Sequence, residues 1–161
     1  MVYVYSRQSE LNSHIGKNLS VDEIKDTLTD MGMDIKGESE DKDPELKIEI
    51  TAEKMDLIST VGIARAIKYY RGYETKLPTY DIKSSGLKVI VDKSVEQVRP
   101  KTVAALLKDV PLTQEVLDEM IKIQEKMHDS FGRGRKKAAI GIYPMDTLSW
   151  SGRRRPARPR P

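Results

Sequence analysis

Three stretches of the chain repeat hydrophobic residues every three or four positions, the spacing of a helix with one buried face. These stretches are Leu19–Gly32, Asp56–Gly72 and Leu112–Gly132. The first is the best delimited, because Ser20 and Glu23 have the spacing of a capping box and Gly32 can end a helix. We therefore predict helices near residues 20–31, 57–71 and 113–130.

Shorter stretches have the patterns of β-strands, either alternating hydrophobic and polar residues or runs rich in β-branched and aromatic residues. Thr102–Val110 is ambiguous between helix and strand, and we favour a strand because its apolar residues alternate between two prolines. Ala138–Tyr143 is short and apolar, which is typical of a buried strand. The other predicted strands are Val2–Tyr5, Leu46–Thr51 and Leu87–Asp92.

These elements predict an α+β fold in two units. Residues 1–83 form a small N-terminal domain in the order strand, helix, strands, helix. A connector rich in Pro, Ser and Gly follows at Tyr73–Gly86, so we place the boundary within it. Residues 84–150 form the second unit. Residues 151–161 are a low-complexity tail that we expect to be disordered and non-native.

The composition is that of a soluble globular protein, with 38% hydrophobic and 33% charged residues in a chain of 161. No apolar run reaches the length of a membrane-spanning helix, and no signal-peptide pattern opens the chain. The absence of cysteine excludes disulfides and thiolate-metal sites. A reducing, cytoplasmic location fits this composition.

The net charge misrepresents the body of the chain. The formal charge is +3, but the tail Ser151–Pro161 contains five arginines and no acid, which leaves −2 for residues 1–150. A basic arm of this kind can bind nucleic acid by counterion release. The abrupt change of composition after Trp150 favours a non-native origin instead.

The sequence contains no pattern of a known catalytic site. It lacks a phosphate-binding glycine loop, a nucleophile elbow and zinc-ligand spacing. His128 lies near the end of the long predicted helix, where the free carbonyl groups favour an imidazole, so we favour a structural role over that of a catalytic base. The acidic stretch Glu38–Glu45 reads as a solvated turn, since no metal-ligand spacing supports a cation site.

The strongest candidate site is a basic loop after that helix, formed by Arg133, Arg135, Lys136 and Lys137. Such a loop can bind the phosphates of RNA or an acidic surface of a partner protein. Alternatively, its side chains pair within the chain, with Glu125, Asp129 or the acidic stretch. Residue types alone favour the intramolecular pairs, because Phe131 is the only nearby ring for base stacking.

Three separated blocks resemble the β subunit of phenylalanyl-tRNA synthetase of the archaeal and eukaryotic type. They are "GKNLSVDEIKDTLTDMGMDI" (Gly16–Ile35), "LKIEITAEKMDLISTVGIARAIKYYRG" (Leu46–Gly72) and "RPKTVAALLKDVPLTQEVLDEMIKIQEKMHDSFGRGRKKAAIGIYPMDTL" (Arg99–Leu148). The blocks have the order found in that family, and the resemblance covers roughly residues 1–150.

The chain departs from the family at two motifs. Where the family has Asn-Arg-Pro-Asp, this sequence retains only Asp56, and where it has His-Asp-Leu-Asp, this sequence has Tyr-Pro-Met followed by Asp146. Both aspartates have local explanations, Asp56 as a helix N-cap or first-turn acid and Asp146 as a turn residue.

The resemblance implies an N-terminal fragment of a ligase subunit. In the family, this subunit pairs with a catalytic α subunit in a heterotetramer that attaches phenylalanine to its tRNA, with ATP and magnesium. Residues 84–150 would be the incomplete start of an α/β editing module that hydrolyses mischarged tRNA, its pocket residues lying beyond this chain. We expect the isolated fragment to hold no cofactor and to be inactive. The alternative is a stand-alone RNA-binding or interaction domain without an enzymatic role.

Overall fold

The computed structural model of the protein describes residues 2–51 and 53–148. Its regular elements are β1 (Val2–Arg7), α1 (Gln8–Ile15), α2 (Val21–Asp30), β2 (Asp34–Glu38), β3 (Glu45–Ile50), α3 (Thr60–Tyr70) and α4 (Gln114–Asp129). Short 3-10 turns lie at Met55–Leu57, Lys93–Val95 and Met145–Thr147. All the strands of the described residues therefore lie in the first third of the chain.

The three strands form an antiparallel sheet with β3 between β1 and β2. Ile48 of β3 lies opposite both Val4 and Ile35. Along β3 the residues Leu46, Ile48 and Ile50 are fully buried, while the intervening residues are only half-buried. The alternation predicted for this strand is confirmed, and it fixes the register, because a slip of one residue would expose the buried side chains.

The helices α1, α2 and α3 cover the buried face of this sheet. They contribute to one hydrophobic cluster whose members are all 6% exposed or less. Its members are Val4, Leu11, Ile15, Leu19, Ile24, Leu28, Met33, Leu46, Ile48, Ile50, Leu57, Ile58, Ile63, Ala64 and Ile67. The hydrophobic core of the described residues thus belongs to the first 67 positions, an α+β domain as predicted.

The start of α2 confirms the predicted capping box. The backbone N–H of Glu23 donates to Ser20 Oγ at 3.2 Å, and the backbone N–H of Ser20 donates to Glu23 Oε2 at 2.8 Å. Gly32 follows the helix with a φ of 75°, the left-handed conformation expected after a helix end.

The predicted start of α3 is wrong by about one turn. Its N-cap is Ser59, whose Oγ accepts from the backbone N–H of Gly62 at 3.0 Å. Asp56 lies in the preceding 3-10 turn, and its carbonyl oxygen is 2.1 Å from the position a Cβ on Gly62 would take. Because only glycine admits this contact, Gly62 allows the 3-10 turn to pack against the first turn of α3.

The strands predicted in the second unit are wrong. Leu87–Asp92, Thr102–Val110 and Ala138–Tyr143 contain no strand, and most of their residues are exposed, including Val103 at 98% and Ile140 at 43%. A strand requires a partner strand to satisfy its backbone groups, and these stretches meet none among the described residues. The predicted disorder of the tail falls on residues 151–161, outside the described part of the chain.

The long helix α4 confirms the predicted helix of the second unit. His128 is its one buried residue, whereas Val116 and Ile121 on its apolar stripe remain exposed. Met127 is partly buried against the hydrophobic cluster of the first domain. The helix thus contacts that domain near its C-terminal end, immediately before the basic loop. Among the described residues, no helix has the length and apolar character needed to cross a membrane.

Candidate nucleic-acid interface at the end of the long helix

The loop after α4 folds back tightly on the helix. The backbone N–H of Gly132 donates to the carbonyl of Met127 at 2.8 Å, and Arg133, Gly134 and Arg135 all have positive φ values, of 50°, 60° and 64°. A Cβ on Gly132 would lie 2.6 Å from the carbonyl oxygen of His128. Gly132 is therefore required for this turn, which displays four cationic side chains within five residues.

His128 anchors the chain beyond the loop. It is only 2% exposed, and its Nε2 accepts from the backbone N–H of Ile140 at 2.8 Å. A backbone N–H can only donate, so this bond assigns Nε2 as the acceptor of a neutral imidazole and places the ring proton on Nδ1. Glu125 Oε1, 3.4 Å from Nδ1, is the acceptor that faces this proton. His128 thus has the geometry of a structural residue.

Arg135 is bound within the chain. Its Nη2 lies 2.6 and 2.7 Å from the two carboxylate oxygens of Glu125. Its Nε is 3.1 Å from His128 Nδ1, and because both atoms carry protons in this tautomer, we interpret that contact as packing. The carbonyl of Arg135 also accepts from the guanidinium of Arg99. This arginine therefore corresponds to the intramolecular alternative considered from the sequence.

The other three cations differ in their surroundings. The ammonium of Lys137 lies 4.4 Å from the ring centroid of Phe131, a cation–π contact. Arg133 and Lys136 are exposed, and their side chains form no hydrogen bond or ion pair with the described part of the chain. Within α4, partial burial lowers the pKa of Lys126. Arg133 and Lys136 are thus the loop cations whose donors face solvent.

The remaining predicted positions lie apart from this cluster. Asp56 belongs to the first domain, and Asp146 lies in the 3-10 turn Met145–Thr147. Neither forms an ion pair with the basic loop within residues 2–51 and 53–148. Nor do any three His, Asp or Glu side chains of that part converge as a metal site would require.

Sequence reasoning missed Arg99 as a support of the loop. Its contact with the Arg135 carbonyl joins positions 36 residues apart. The arginine precedes Pro100, in the block that carries the family resemblance, but nothing in its spacing indicates where its side chain binds. What the structure brings together is therefore Arg99, Glu125, His128 and Arg135.

Comparison with known proteins relates this chain to the β subunits of one ligase. The family model described as the Phe-tRNA synthetase beta subunit B1 domain matches residues 1–73. The phenylalanine–tRNA ligase beta subunit of Methanocella arvoryzae is 34% identical, with 92% of this chain and 26% of the relative covered. That of Korarchaeum cryptofilum is 39% identical, with 79% of this chain and 22% of the relative covered.

A solved structure extends the likeness beyond residue 73. It is a crystal structure of an N-terminal fragment of the phenylalanyl-tRNA synthetase beta subunit from Pyrococcus horikoshii, with a TM-score of 0.80 and 32% identity. The match covers 91% of this chain and 43% of that one. The chain belongs to the phenylalanyl-tRNA synthetase β-subunit family.

The correspondence is with the N-terminal part of these β subunits. The chain spans about a quarter of the length of the curated relatives it matches. The sheet, the helices α1 to α3 and the hydrophobic cluster lie between residues 2 and 70, within the matched B1 domain, whereas α4 and the basic loop lie outside it.

Proposed function

We propose that this chain acts as the N-terminal part of the β subunit of a phenylalanine–tRNA ligase. In this role it supports the ATP-dependent attachment of phenylalanine to tRNA(Phe) in a heterotetramer with the catalytic α subunit. The observation that carries the proposal is the collinear match of 92% of the chain to a β subunit at 34% identity.

Residues 84–150 would then contribute the start of the editing module, which hydrolyses mischarged tRNA in the complete enzyme. The exposure of apolar side chains in this unit, such as Val103 and Leu107, supports this division, since apolar segments of this kind gain stability when further strands or helices cover them. We expect the isolated chain neither to activate phenylalanine nor to deacylate Tyr-tRNA, because its sequence offers no ATP-binding loop for the first reaction and no acid–base pair or metal site for the second.

The basic loop would contribute through Arg133 and Lys136. Both side chains are exposed and unpaired within the described part of the chain, so they can bind a phosphate of RNA or a carboxylate of the α subunit without breaking an existing contact. Arg135 and Lys137 would instead hold the loop in shape through Glu125 and Phe131.

Assembly with an α subunit tests the proposal. In the Methanocella arvoryzae ligase, the stretch of the β subunit that matches this chain is replaced by residues 1–148, and the chimera is co-expressed with a tagged α subunit. We expect native mass spectrometry of the purified complex to show the same heterotetramer as the parent ligase. A matched chimera carrying Ile48→Ala controls for a grafted domain that fails to fold. Recovery of a soluble, folded chimera without the α subunit would contradict the proposal.

A further inference from the structure

A second cationic surface lies in the first domain, remote in sequence from the basic loop. Helix α3 and the connector that follows it enclose a groove of about 500 Å³. Arg65, Lys68 and Tyr69 line it from α3, and Lys76 and Tyr80 line it from the connector. His14, in the last turn of α1, adds to one end.

The cations of this groove are unpaired. Arg65 and Lys68 are one helical turn apart and therefore lie on the same face of α3. Neither they nor Lys76 form an ion pair or a side-chain hydrogen bond with the described part of the chain. By contrast, Arg71 in the same region is within 3.8 Å of Glu23. Glu74 is the single acid of the lining, so the groove has an excess of positive charge.

Two tyrosines accompany these cations. The hydroxyl of Tyr69 donates to the carbonyl of Lys76 at 3.1 Å, which holds the connector against α3. Tyr80 is 74% exposed, so its ring is open to solvent. Cations that follow a phosphate backbone, together with exposed rings on which bases stack, are the combination that binds single-stranded nucleic acid.

We propose that this groove binds a single-stranded segment of RNA, with Arg65, Lys68 and Lys76 on the phosphates and Tyr80 stacked on a base. An acidic peptide would satisfy the cations but would leave the exposed ring without a partner, and for this reason we favour RNA. That the RNA in the cell is tRNA(Phe) rests on the proposed function. The binding itself does not, and can be measured on the full chain alone.

The experiment uses the full 161-residue chain with its five tail arginines replaced by serine, because those arginines would bind RNA themselves. Fluorescence anisotropy with a labelled oligouridylate of about 12 nucleotides measures the affinity and its salt dependence. Arg65→Ala/Lys68→Ala is compared with Lys101→Ala/Lys122→Ala, which removes two charges from exposed positions elsewhere. Tyr80→Leu is compared with Tyr80→Phe, which keeps the ring. Circular dichroism confirms that each variant is folded.

We expect Arg65→Ala/Lys68→Ala to weaken binding about tenfold and to reduce the slope of log K against log salt by about 1.4, since each single-strand phosphate contact contributes about 0.7. The control pair should change the affinity by no more than about twofold and should leave the salt slope nearly unchanged. Tyr80→Leu should weaken binding about fivefold or more, and Tyr80→Phe should not.

Three results would overturn the proposal. Equal effects of the two charge pairs would show that the groove has no special role, and equal affinities of Tyr80→Leu and Tyr80→Phe would remove the stacked base. Binding of a polyglutamate of similar length as tightly as the oligouridylate would identify an acidic protein segment as the occupant. Each of these results leaves the assembly test of the ligase chimera unaffected, so the two proposals fail separately.

Discussion

Replacing the arginines of the basic loop one at a time should separate its structural contact from its binding contact. Arg135→Ala removes the side chain that meets both oxygens of Glu125 at 2.6 and 2.7 Å. Arg133→Ala removes an exposed side chain that has no partner in the described part of the chain. Both residues have positive φ, but arginine and alanine both carry a Cβ, so the backbone strain is unchanged and cancels from the comparison.

The exposure of the pair limits the expected loss of stability. The Arg135 and Glu125 side chains are 53% and 46% exposed, and solvent screening reduces an ion pair at such a position to about 0–1 kcal/mol. For a chain of this size, 1 kcal/mol corresponds to about 2–4 °C in Tm. We therefore expect Arg135→Ala to lower Tm by up to about 3 °C, and Arg133→Ala to remain within about 0.5 kcal/mol of the parent.

The assays are thermal unfolding and tRNA binding by fluorescence anisotropy, both in the chain whose five tail arginines are replaced by serine. Arg133→Ala should weaken tRNA binding and reduce its salt slope by about 0.7–0.9. A double-mutant cycle of Arg135→Ala with Glu125→Ala should give a coupling free energy of unfolding of up to about 1 kcal/mol. Two results would contradict these roles: a loss of Tm in Arg133→Ala as large as that in Arg135→Ala, or an unchanged tRNA affinity of Arg133→Ala.

Three further predictions concern the first domain. Ile48→Ala, at a fully buried position of the central strand, should cost about 2–5 kcal/mol in urea unfolding, and a loss below about 1 kcal/mol would contradict the assigned core. Hydrogen bonds from Ser9 hold the pKa of Asp43 below its ordinary value. The stability that Asp43 adds to the folded state is therefore present above about pH 4 and is lost as the pH falls below about 4. The difference in unfolding free energy between the parent and Asp43→Asn should accordingly shrink in acid, and a difference independent of pH from 7 to 3 would refute this role. Gly62→Ala forces a Cβ to within 2.1 Å of a carbonyl oxygen and should lower stability by about 1–3 kcal/mol or more. Gly37→Ala, whose Cβ would meet nothing closer than 3.8 Å, is the matched control and should lose less.

The sequence predicts an element correctly where the residues that specify the element lie within it. The capping box of α2 and the alternation of β3 both lie within a few consecutive positions, and both were predicted. Helix α1 was missed because its N-cap, Arg7, has no side-chain oxygen that could accept from the first turn, although Glu10 Oε2 accepts from the backbone N–H of Arg7 at 3.3 Å. Asp43 accepts from the backbone N–H of Ser9 at 2.9 Å and from Ser9 Oγ at 2.7 Å, across 34 residues. Nothing near position 8 indicates this long-range cap.

In residues 84–150 the local patterns predict strands that do not form. The residues of Leu87–Asp92 are of types that favour a strand. A strand also needs a partner strand, and the described residues do not supply one. In the candidate site, the sequence located the four cations and proposed Glu125 among their partners. It could not show that His128 binds the backbone of Ile140, since that contact depends on the path of the intervening loop.

The rate at which a chimeric ligase charges tRNA(Phe) shows whether this chain can serve as the N-terminal part of a β subunit. The chimera carries residues 1–148 of this chain in place of the matching stretch of the Methanocella arvoryzae β subunit, and is compared with the parent ligase and with a ligase lacking that stretch. If the chain is the N-terminal part of a β subunit, the chimera should attach phenylalanine at a rate within about tenfold of the parent, a difference of about 1.4 kcal/mol. A chimera that is folded and assembled but charges tRNA(Phe) no faster than the shortened ligase would contradict the account.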